Sequence, residues 1–284
     1  LKVRSSLPHK SPWRTIQLGR TATVLGNSHL ILNLNEPSQI ADVSWIKPMK
    51  YMGIWWGMHI KTESWEQGPI HGATTQNAKR YIDYASANGF QGLLIEGWNL
   101  GWENWGKQDA YSFTETYDDF DIEQVTQYAA SNGMEIIGHH ETGGDAESYD
   151  RRVEAAFQFY KKHGINSIKT GYAGDIFPRG QYHHGQWMVR HYRRIVELAA
   201  EYEITLDVHE PIKATGIRRT WPNMMTREGA RGNEYEAWSE GNPPEHTTIL
   251  PFTRMLGGPM DYTPGVFYIT LEGIKENNRV HTTL

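Results

Sequence analysis

Five short apolar runs, each separated from the next by a segment with helical spacing, constrain the fold more than any other feature of this chain. The runs lie at residues 50–58, 90–98, 134–141, 165–172 and 204–210. The helical segments between them are 74–89, 121–133, 146–164 and 185–203, and the first three end in glycine. Strands that alternate with helices at this spacing predict a parallel sheet covered by helices.

Among α/β folds, we predict a (β/α)8 TIM barrel. Neither G-x-G-x-x-G nor G-x-x-x-x-G-K-[ST] follows any of the strands, so the usual phosphate-binding marker of a nucleotide-binding sheet is missing. Residues 219–225 and 257–265 are candidates for the sixth and seventh strands, and 28–37 reads as a separate short strand. We expect residues 1–48 to be an extended linker that precedes the barrel. Because no convincing eighth strand follows the seventh, we expect residues 49–284 to be a barrel that is incomplete at its C-terminus.

Composition argues against several classes of function. The chain has 284 residues and a net charge of -5, which does not favour binding to nucleic acid or to an anionic membrane. No apolar run reaches the roughly 18 residues that a membrane span needs, and residues 1–20 lack the apolar core of a signal peptide. Cysteine is absent, which excludes disulfides and thiolate ligands. The oligomeric state is left open.

Carboxylates follow the strand-like runs. Glu141 ends the third run, Glu210 ends the fifth, and Glu228 and Glu234 lie in the glycine-rich segment that follows. In a (β/α)8 barrel the carboxyl ends of the strands build the active site. Paired carboxylates there suit glycoside hydrolysis, which needs an acid to protonate the leaving oxygen and a second carboxylate as base or nucleophile.

The same segments leave the choice of metal open. Carboxylate oxygens suit Ca²⁺, whereas His139 and His209 beside them would suit zinc or iron. Neither His-Glu pair continues as H-E-x-x-H, so the zinc-protease motif is absent. At this point three interpretations remain: a glycosidase, an inactive or sugar-binding barrel, and a metal hydrolase.

Longer motifs resemble glycoside hydrolase family 97, and they look most like its inverting α-glucosidase branch. The motifs are YMGIWWGMH (51–59), HHETGG (139–144), VHEPIKATGIRRTWPNMMTREGARGNEYEAW (208–238) and ILPFTRMLGGPMDYTPG (249–265). The resemblance implies an N-terminal β-sandwich, a (β/α)8 barrel and a small C-terminal β-domain. On this basis we expect the sandwich, the last barrel repeat and the C-terminal domain to be missing from this chain. The resemblance also implies a periplasmic or secreted protein.

The resemblance implies a role for each site residue. Glu234 matches the general acid, Glu210 a general base that also binds Ca²⁺, and Glu141 a second carboxylate that helps to hold the attacking water. Glu228 matches a further calcium ligand, so Glu210, Glu228 and Glu234 are the expected metal site. The expected substrate contacts are His139, His209, Lys169, Trp56 and Trp98, the two tryptophans because flat apolar rings can stack on sugars.

The end of the fourth run distinguishes two mechanisms. Retaining members of family 97 place a nucleophilic aspartate there, whereas this chain reads Lys169-Thr170-Gly171. The departure predicts inversion. We therefore expect a calcium-dependent, exo-acting α-glucosidase whose partner is a starch- or malto-oligosaccharide-like substrate. The alternatives are an inactive or sugar-binding barrel and an α-galactosidase of the same family.

Overall fold

Six parallel strands form one sheet in a computed structural model that describes residues 3–263 and 265–275. The strands are β1 Tyr51–Ile54, β2 Gly92–Ile95, β3 Glu135–Glu141, β4 Ser167–Gly171, β5 Thr205–Val208 and β6 Met224–Arg227. Their order in the sheet is their order in the chain, and every neighbouring pair is parallel. Each of the five predicted runs contains one of the first five strands.

Helices fill the connections between the strands. The α-helices of the described residues are α1 Ala22–Gly26, α2 Leu30–Asn33, α3 Trp56–His59, α4 Thr75–Ala87, α5 Ile122–Ser131, α6 Ala146–Lys162, α7 Gln186–Glu201 and α8 Pro244–Ile249. Short 3₁₀ helices lie at Trp102–Asn104, Ile217–Arg219, Asn233–Ala237, Leu250–Phe252 and Arg254–Gly257. No described helix is long and apolar enough to cross a membrane.

Capping residues explain where the principal helices begin and end. Thr74, Asp121 and Asp145 precede α4, α5 and α6, and each side chain accepts a hydrogen bond from the backbone N–H three residues later. Gly89 and Gly133 follow α4 and α5 with φ of 73° and 68°, a conformation that glycine adopts without strain. The chain therefore leaves each helix at a point that local sequence determines.

The sheet curves so strongly that its first and fifth strands approach each other on the inside. The Tyr51 hydroxyl on β1 lies 3.3 Å from Asp207 Oδ2 on β5. Neighbouring strands are about 4.8 Å apart, so β1 and β5 of a flat sheet would be separated by about 19 Å. The contact requires the curvature of a barrel, and the predicted α/β fold of the TIM-barrel type is confirmed.

Helix α6 packs closely against β3. Its buried face includes Val153, Phe157 and Tyr160, and Tyr160 is 1% exposed. The Tyr160 hydroxyl accepts from the His139 N–H at 2.9 Å and donates to the His139 carbonyl at 3.1 Å. A Cβ on Gly138 would lie 2.3 Å from Tyr160 Cε2. Only glycine at position 138 lets the ring reach the strand.

Three predicted strands differ from the structure. Segment 28–37 contains α2 instead of a strand, because the Asn35 side chain donates to the Ile31 carbonyl at 2.7 Å and closes a helical turn. The sixth strand begins only at Met224, after the 3₁₀ helix at Ile217–Arg219. In the described part of 257–265, the seventh strand is reduced to one parallel bridge between Arg227 and Met260.

The extended character predicted for residues 1–48 holds only in part, since the described residues of this segment contain α1 and α2. At the other end, the predicted boundary at residue 284 lies outside the described residues. The domain boundaries therefore stay a prediction.

Replacing Gly138 with Ala should lower the free energy of unfolding by about 1–3 kcal/mol, because the added methyl group must displace the Tyr160 ring from a packed site. Gly68→Ala is the matched control, since nothing lies within 4 Å of a Cβ built there. Thermal or denaturant unfolding measures both variants. Equal stability of Gly138→Ala and the unsubstituted protein would contradict the packing described here.

Candidate active site

The carboxyl ends of the parallel strands carry most of the predicted site residues. Glu141 ends β3, Gly171 ends β4, and Glu210 follows the end of β5 by two residues. His209 and Glu228 come directly after β5 and β6. Because parallel strands end at the same edge, these positions share one rim of the barrel. The prediction that Glu141 and Glu210 lie at the same rim is confirmed.

Glu210 is held in an unusual backbone conformation. Its φ is 44°, in the left-handed region that residues with a Cβ seldom occupy. Its carboxylate Oε2 accepts from the Tyr172 N–H at 2.7 Å, and its own N–H donates to Glu228 Oε2 at 3.2 Å. Burial raises the pKa of Glu210, the positive charge of His209 opposes this rise, and the negative charge of Glu228 adds to it. Strain of this kind is characteristic of functional positions.

Glu141 and Gly171 lie side by side on β3 and β4. Glu141 Oε1 accepts from the Thr142 and Gly143 N–H groups at 2.9 and 2.7 Å. Burial, together with the negative charge of Glu210, raises the pKa of Glu141 to about 8. A Cβ on Gly171 would lie only 2.1 Å from Glu141 Oε2. A side chain at position 171 would therefore have to displace the Glu141 carboxylate from this position.

Glu234 lies in the 3₁₀ helix at Asn233–Ala237, close enough to Glu228 and Glu210 to feel their charges. Burial, as the larger cause, and the negative charge of Glu228 together raise the pKa of Glu234 to about 7. A large fraction of Glu234 therefore keeps its proton at neutral pH, as a general acid requires. His59 Nε2 lies 3.8 Å from Glu234 Oε2, and burial lowers the pKa of His59 to about 4.

Aromatic rings surround His59 and form a wall beside Glu234. Trp55, Trp65 and Trp238 contact the imidazole with ring centroids 5.4, 4.9 and 5.1 Å away. Trp238 is 52% exposed, so part of this wall faces solvent. Flat apolar surfaces of this kind suit the faces of sugar rings.

A lysine and a glutamate form a buried ion pair across the barrel. Lys169 Nζ on β4 donates to Glu96 Oε1, just past β2, at 2.6 Å. Burial opposes ionisation, but the positive charge of Lys169 holds the pKa of Glu96 well below its usual range. Burial lowers the pKa of His139 to about 3, so this imidazole is neutral at physiological pH. Lys169 and His139 thus lie near the same carboxylate, and their contact with substrate stays a prediction.

His209 lies at the centre of a second charged cluster. Its Nε2 is 2.6 Å from Asp261 Oδ2 and 3.6 Å from Asp207 Oδ2, and its Nδ1 is 3.8 Å from Glu228 Oε1. Burial and the charge of Lys169 lower its pKa, but Asp207 and Asp261 raise the pKa of His209 well above its usual range. His209 is therefore a cation that ties β5 to the segment after β6.

Asp207, His209 and Asp261 also form a candidate metal-binding group. One potential ligand atom from each side chain lies within 4.8 Å of the others. Among the described residues, Glu210, Glu228 and Glu234 do not meet this criterion as a group. A protonated imidazole cannot ligate a metal. His209 would have to lose its proton before it could bind a metal, and without an ion the three side chains form an ion-pair network.

The two tryptophans predicted to contact sugar are both buried, in different hydrophobic clusters. Trp98 packs in the core, 2% exposed, against Phe159 and Tyr160, and its indole N–H donates to the His139 carbonyl at 2.9 Å. It therefore supports β3 from the core, away from the open rim where we expected it. Trp56, 7% exposed, contacts Trp55 edge to face at 5.6 Å, and its contact with sugar stays a prediction.

Sequence reasoning missed Tyr51, His59 and Asp207. Asp207 carried a usable signal, because it lies two residues before His209 in an extended segment and therefore faces the same side. Tyr51 and His59 gave none, since their partners are more than 150 residues away in the chain.

Comparison with known proteins identifies the family to which this barrel is similar. The family model for Glycoside hydrolase 97 matches residues 55–230, and the model for the Glycosyl-hydrolase 97 N-terminal domain matches residues 2–37. A retaining alpha-galactosidase of Bacteroides thetaiotaomicron is 30% identical over 266 residues, which cover 91% of this chain and 36% of the relative. A probable retaining alpha-galactosidase of Streptomyces bingchenggensis is 28% identical over 270 residues, covering 94% and 38%.

Solved structures of a glycoside hydrolase family 97 enzyme from Pseudoalteromonas sp. strain K8 are more similar. They are 49% identical, with a TM-score of 0.85 for the complex with acarbose and 0.86 for a variant in complex with panose. Each alignment covers 92% of this chain and 42% of that chain. This chain thus spans less than half the length of these relatives. The barrel topology, the acidic rim and the family match together show that this chain belongs to glycoside hydrolase family 97.

Proposed function

We propose that this chain carries the catalytic site of a calcium-dependent, exo-acting α-glucosidase that inverts the anomeric centre of starch- or malto-oligosaccharide-like substrates. The observation that carries the proposal is the contact between Gly171 and Glu141. A Cβ at position 171 would lie 2.1 Å from Glu141 Oε2. A retaining enzyme needs a nucleophilic carboxylate about 5–5.5 Å from its acid. The strand end that supplies it in retaining members, by the resemblance, carries glycine here, and a larger side chain would have to displace the Glu141 carboxylate.

Glu234 would act as the general acid. Its pKa is raised to about 7 by burial and by the charge of Glu228, so it holds a proton to donate at neutral pH. As the bond between the anomeric carbon and the glycosidic oxygen breaks, that proton passes to the leaving oxygen. The aromatic wall around His59 would lie beside the departing sugar.

Glu210 and Glu141 would hold the attacking water. The water oxygen forms the new bond to the anomeric carbon while its proton passes to Glu210, so one displacement inverts the centre. The Tyr172 N–H fixes one oxygen of Glu210, and the Thr142 and Gly143 N–H groups fix one oxygen of Glu141. Both carboxylates are therefore oriented before substrate binds, which lowers the cost of reaching the transition state.

The carboxylate oxygens at this rim support calcium as the metal. The negative charge of Glu228 raises the pKa of both Glu210 and Glu234, so three half-buried carboxylates repel one another. Oxygen ligands of this kind are those that Ca²⁺ prefers. Glu210, Glu228 and Glu234 would hold the ion. When bound, the ion would offset their repulsion and stabilise negative charge that develops near it.

A second candidate, a retaining α-galactosidase, is favoured by the names of the two relatives that are 30% and 28% identical. Two observations support glucose and inversion instead. The more similar Pseudoalteromonas enzyme is described with acarbose and panose, both of which contain α-linked, glucose-like rings. Gly171 also provides no carboxylate at the end of β4, where the resemblance places the nucleophile of a retaining enzyme.

The first product released from an α-glucoside should be the β-anomer, because water attacks directly when the end of β4 offers no nucleophile. NMR of the reaction mixture in its first minutes, before mutarotation, measures this on the full-length protein. An α-anomer as first product, or cleavage of α-galactosides alone, would support the second candidate.

Glu234→Gln should lower kcat/KM about 10²- to 10⁴-fold on glucosides with poor leaving groups, because these need protonation by the acid. Activated aryl glucosides depart without it, so the loss on them should be about tenfold or less. Steady-state kinetics compare the two substrates on this one variant, so each substrate serves as the control for the other. An equal loss on both substrates would identify Glu234 as a base or a metal ligand only.

Removal of calcium with EGTA should abolish α-glucosidase activity, because the three carboxylates then repel one another and lose their arrangement. Added Ca²⁺ should restore the activity and Zn²⁺ should not. Isothermal titration of the metal-free protein with each ion provides a readout that does not depend on turnover. Full activity in EGTA, or recovery with Zn²⁺ alone, would contradict the assignment of calcium.

A further inference from the structure

The backbone of Glu210 needs an explanation that its own sequence does not provide. Its φ of 44° lies in the left-handed region, which is unfavourable for residues other than glycine. Pro211 follows it, and a following proline favours an extended conformation at the preceding residue. Two local preferences therefore oppose the observed conformation, so contacts from elsewhere in the fold must hold it.

Three contacts hold the polar atoms of Glu210. The Tyr192 hydroxyl donates to the Glu210 carbonyl at 2.7 Å. The Tyr172 N–H donates to carboxylate Oε2 at 2.7 Å, and Glu228 Oε2 accepts from the Glu210 N–H at 3.2 Å. The Tyr192 bond is the one that holds the peptide unit between Glu210 and Pro211. It is therefore the contact that opposes rotation of the carbonyl toward the extended conformation.

Tyr192 is itself well fixed. It lies on α7, is 6% exposed, and packs its ring against Tyr172 with centroids 4.7 Å apart. His183 Nε2 lies 3.3 Å from its hydroxyl, which gives the hydroxyl oxygen a second polar neighbour. The hydroxyl group is thus presented to the rim by a helix and a packed ring, elements that do not themselves carry the carboxylates of the site.

We propose that Tyr192 is a positioning residue that holds Glu210 in its left-handed conformation and so aims the Glu210 carboxylate at the attacking water. The inference rests on the proposed role of Glu210 as the general base. When the hydroxyl is removed, the Glu210 carbonyl is free to rotate, and the carboxylate moves away from the Tyr172 N–H. A displacement of about 1 Å at a reacting group is enough to lower a rate by up to about a hundredfold.

The test compares Tyr192→Phe, Glu210→Gln and a matched control in the full-length protein. Tyr149→Phe is the control, because it also removes a buried tyrosine hydroxyl, one that bonds His140 Nδ1 at 2.9 Å and does not contact Glu210. Steady-state kinetics are measured on an unactivated α-glucoside and on α-glucosyl fluoride, whose fluoride leaves without help from the acid. Thermal unfolding shows that each variant is folded.

Tyr192→Phe should lower kcat by about ten- to a hundredfold on both substrates, with KM changed by about twofold or less, because the defect lies in water attack. Tyr149→Phe should retain kcat within about twofold. In a crystal structure of Tyr192→Phe, Glu210 should leave the positive-φ region or lose its bond to the Tyr172 N–H.

Other outcomes separate the two claims. Glu210→Gln with near-normal activity would overturn the proposed role of Glu210 itself. If Glu210→Gln is inactive but Tyr192→Phe turns over normally, only the positioning role is overturned. Three further results would also overturn the positioning role: an equal loss of kcat in Tyr149→Phe, a Tyr192→Phe protein that does not fold, or a crystal structure of Tyr192→Phe in which Glu210 has not moved. Each would mean that the Tyr192 hydroxyl stabilises the fold and does not position Glu210.

Discussion

Repulsion among buried carboxylates is the constraint on which the rim of this barrel depends. Seven acidic side chains converge there against two buried cations, Lys169 and His209; the seven are Glu96, Glu141, Asp207, Glu210, Glu228, Glu234 and Asp261. Lys169 pairs with Glu96, and His209 pairs with Asp261. The remaining charge is reduced by protons, as shown by the raised pKa of Glu141, Asp207 and Glu234. The same repulsion raises the pKa of Glu234, which supports its proposed role as the general acid, and it supports the proposal that the rim binds a divalent cation.

The positions of the strands and of most acidic residues could be predicted from the sequence because local signals determine them. Apolar runs, capping residues and glycines located β1 to β5 and the helices between them, and the ends of β3 and β5 located Glu141 and Glu210. The strand predicted for segment 28–37 was wrong, since three consecutive apolar residues are compatible both with a strand and with the helical turn that Asn35 closes.

The rest of the site depends on distant partners, which local patterns do not reveal. Tyr51 meets Asp261 and Asp207 only because the sheet curves, and His59 meets Glu234 only because the Asn233–Ala237 turn folds back over the rim. Trp98 was expected at the rim because it follows β2 closely, yet its ring enters the core beneath β3. Local patterns locate the end of a strand but not the direction in which a large side chain after it will point.

Inversion by a pair of carboxylates with a water between them is the central claim of this account. A crystal structure of the calcium-loaded, full-length protein with an uncleaved α-glucoside analogue tests it most directly. The account predicts about 6.5–9.5 Å between the Glu234 and Glu210 carboxyl groups, with an ordered water bound to Glu210 and Glu141 on the face of the sugar ring opposite Glu234. A carboxylate in contact with the anomeric carbon, about 5–5.5 Å from Glu234, would contradict it.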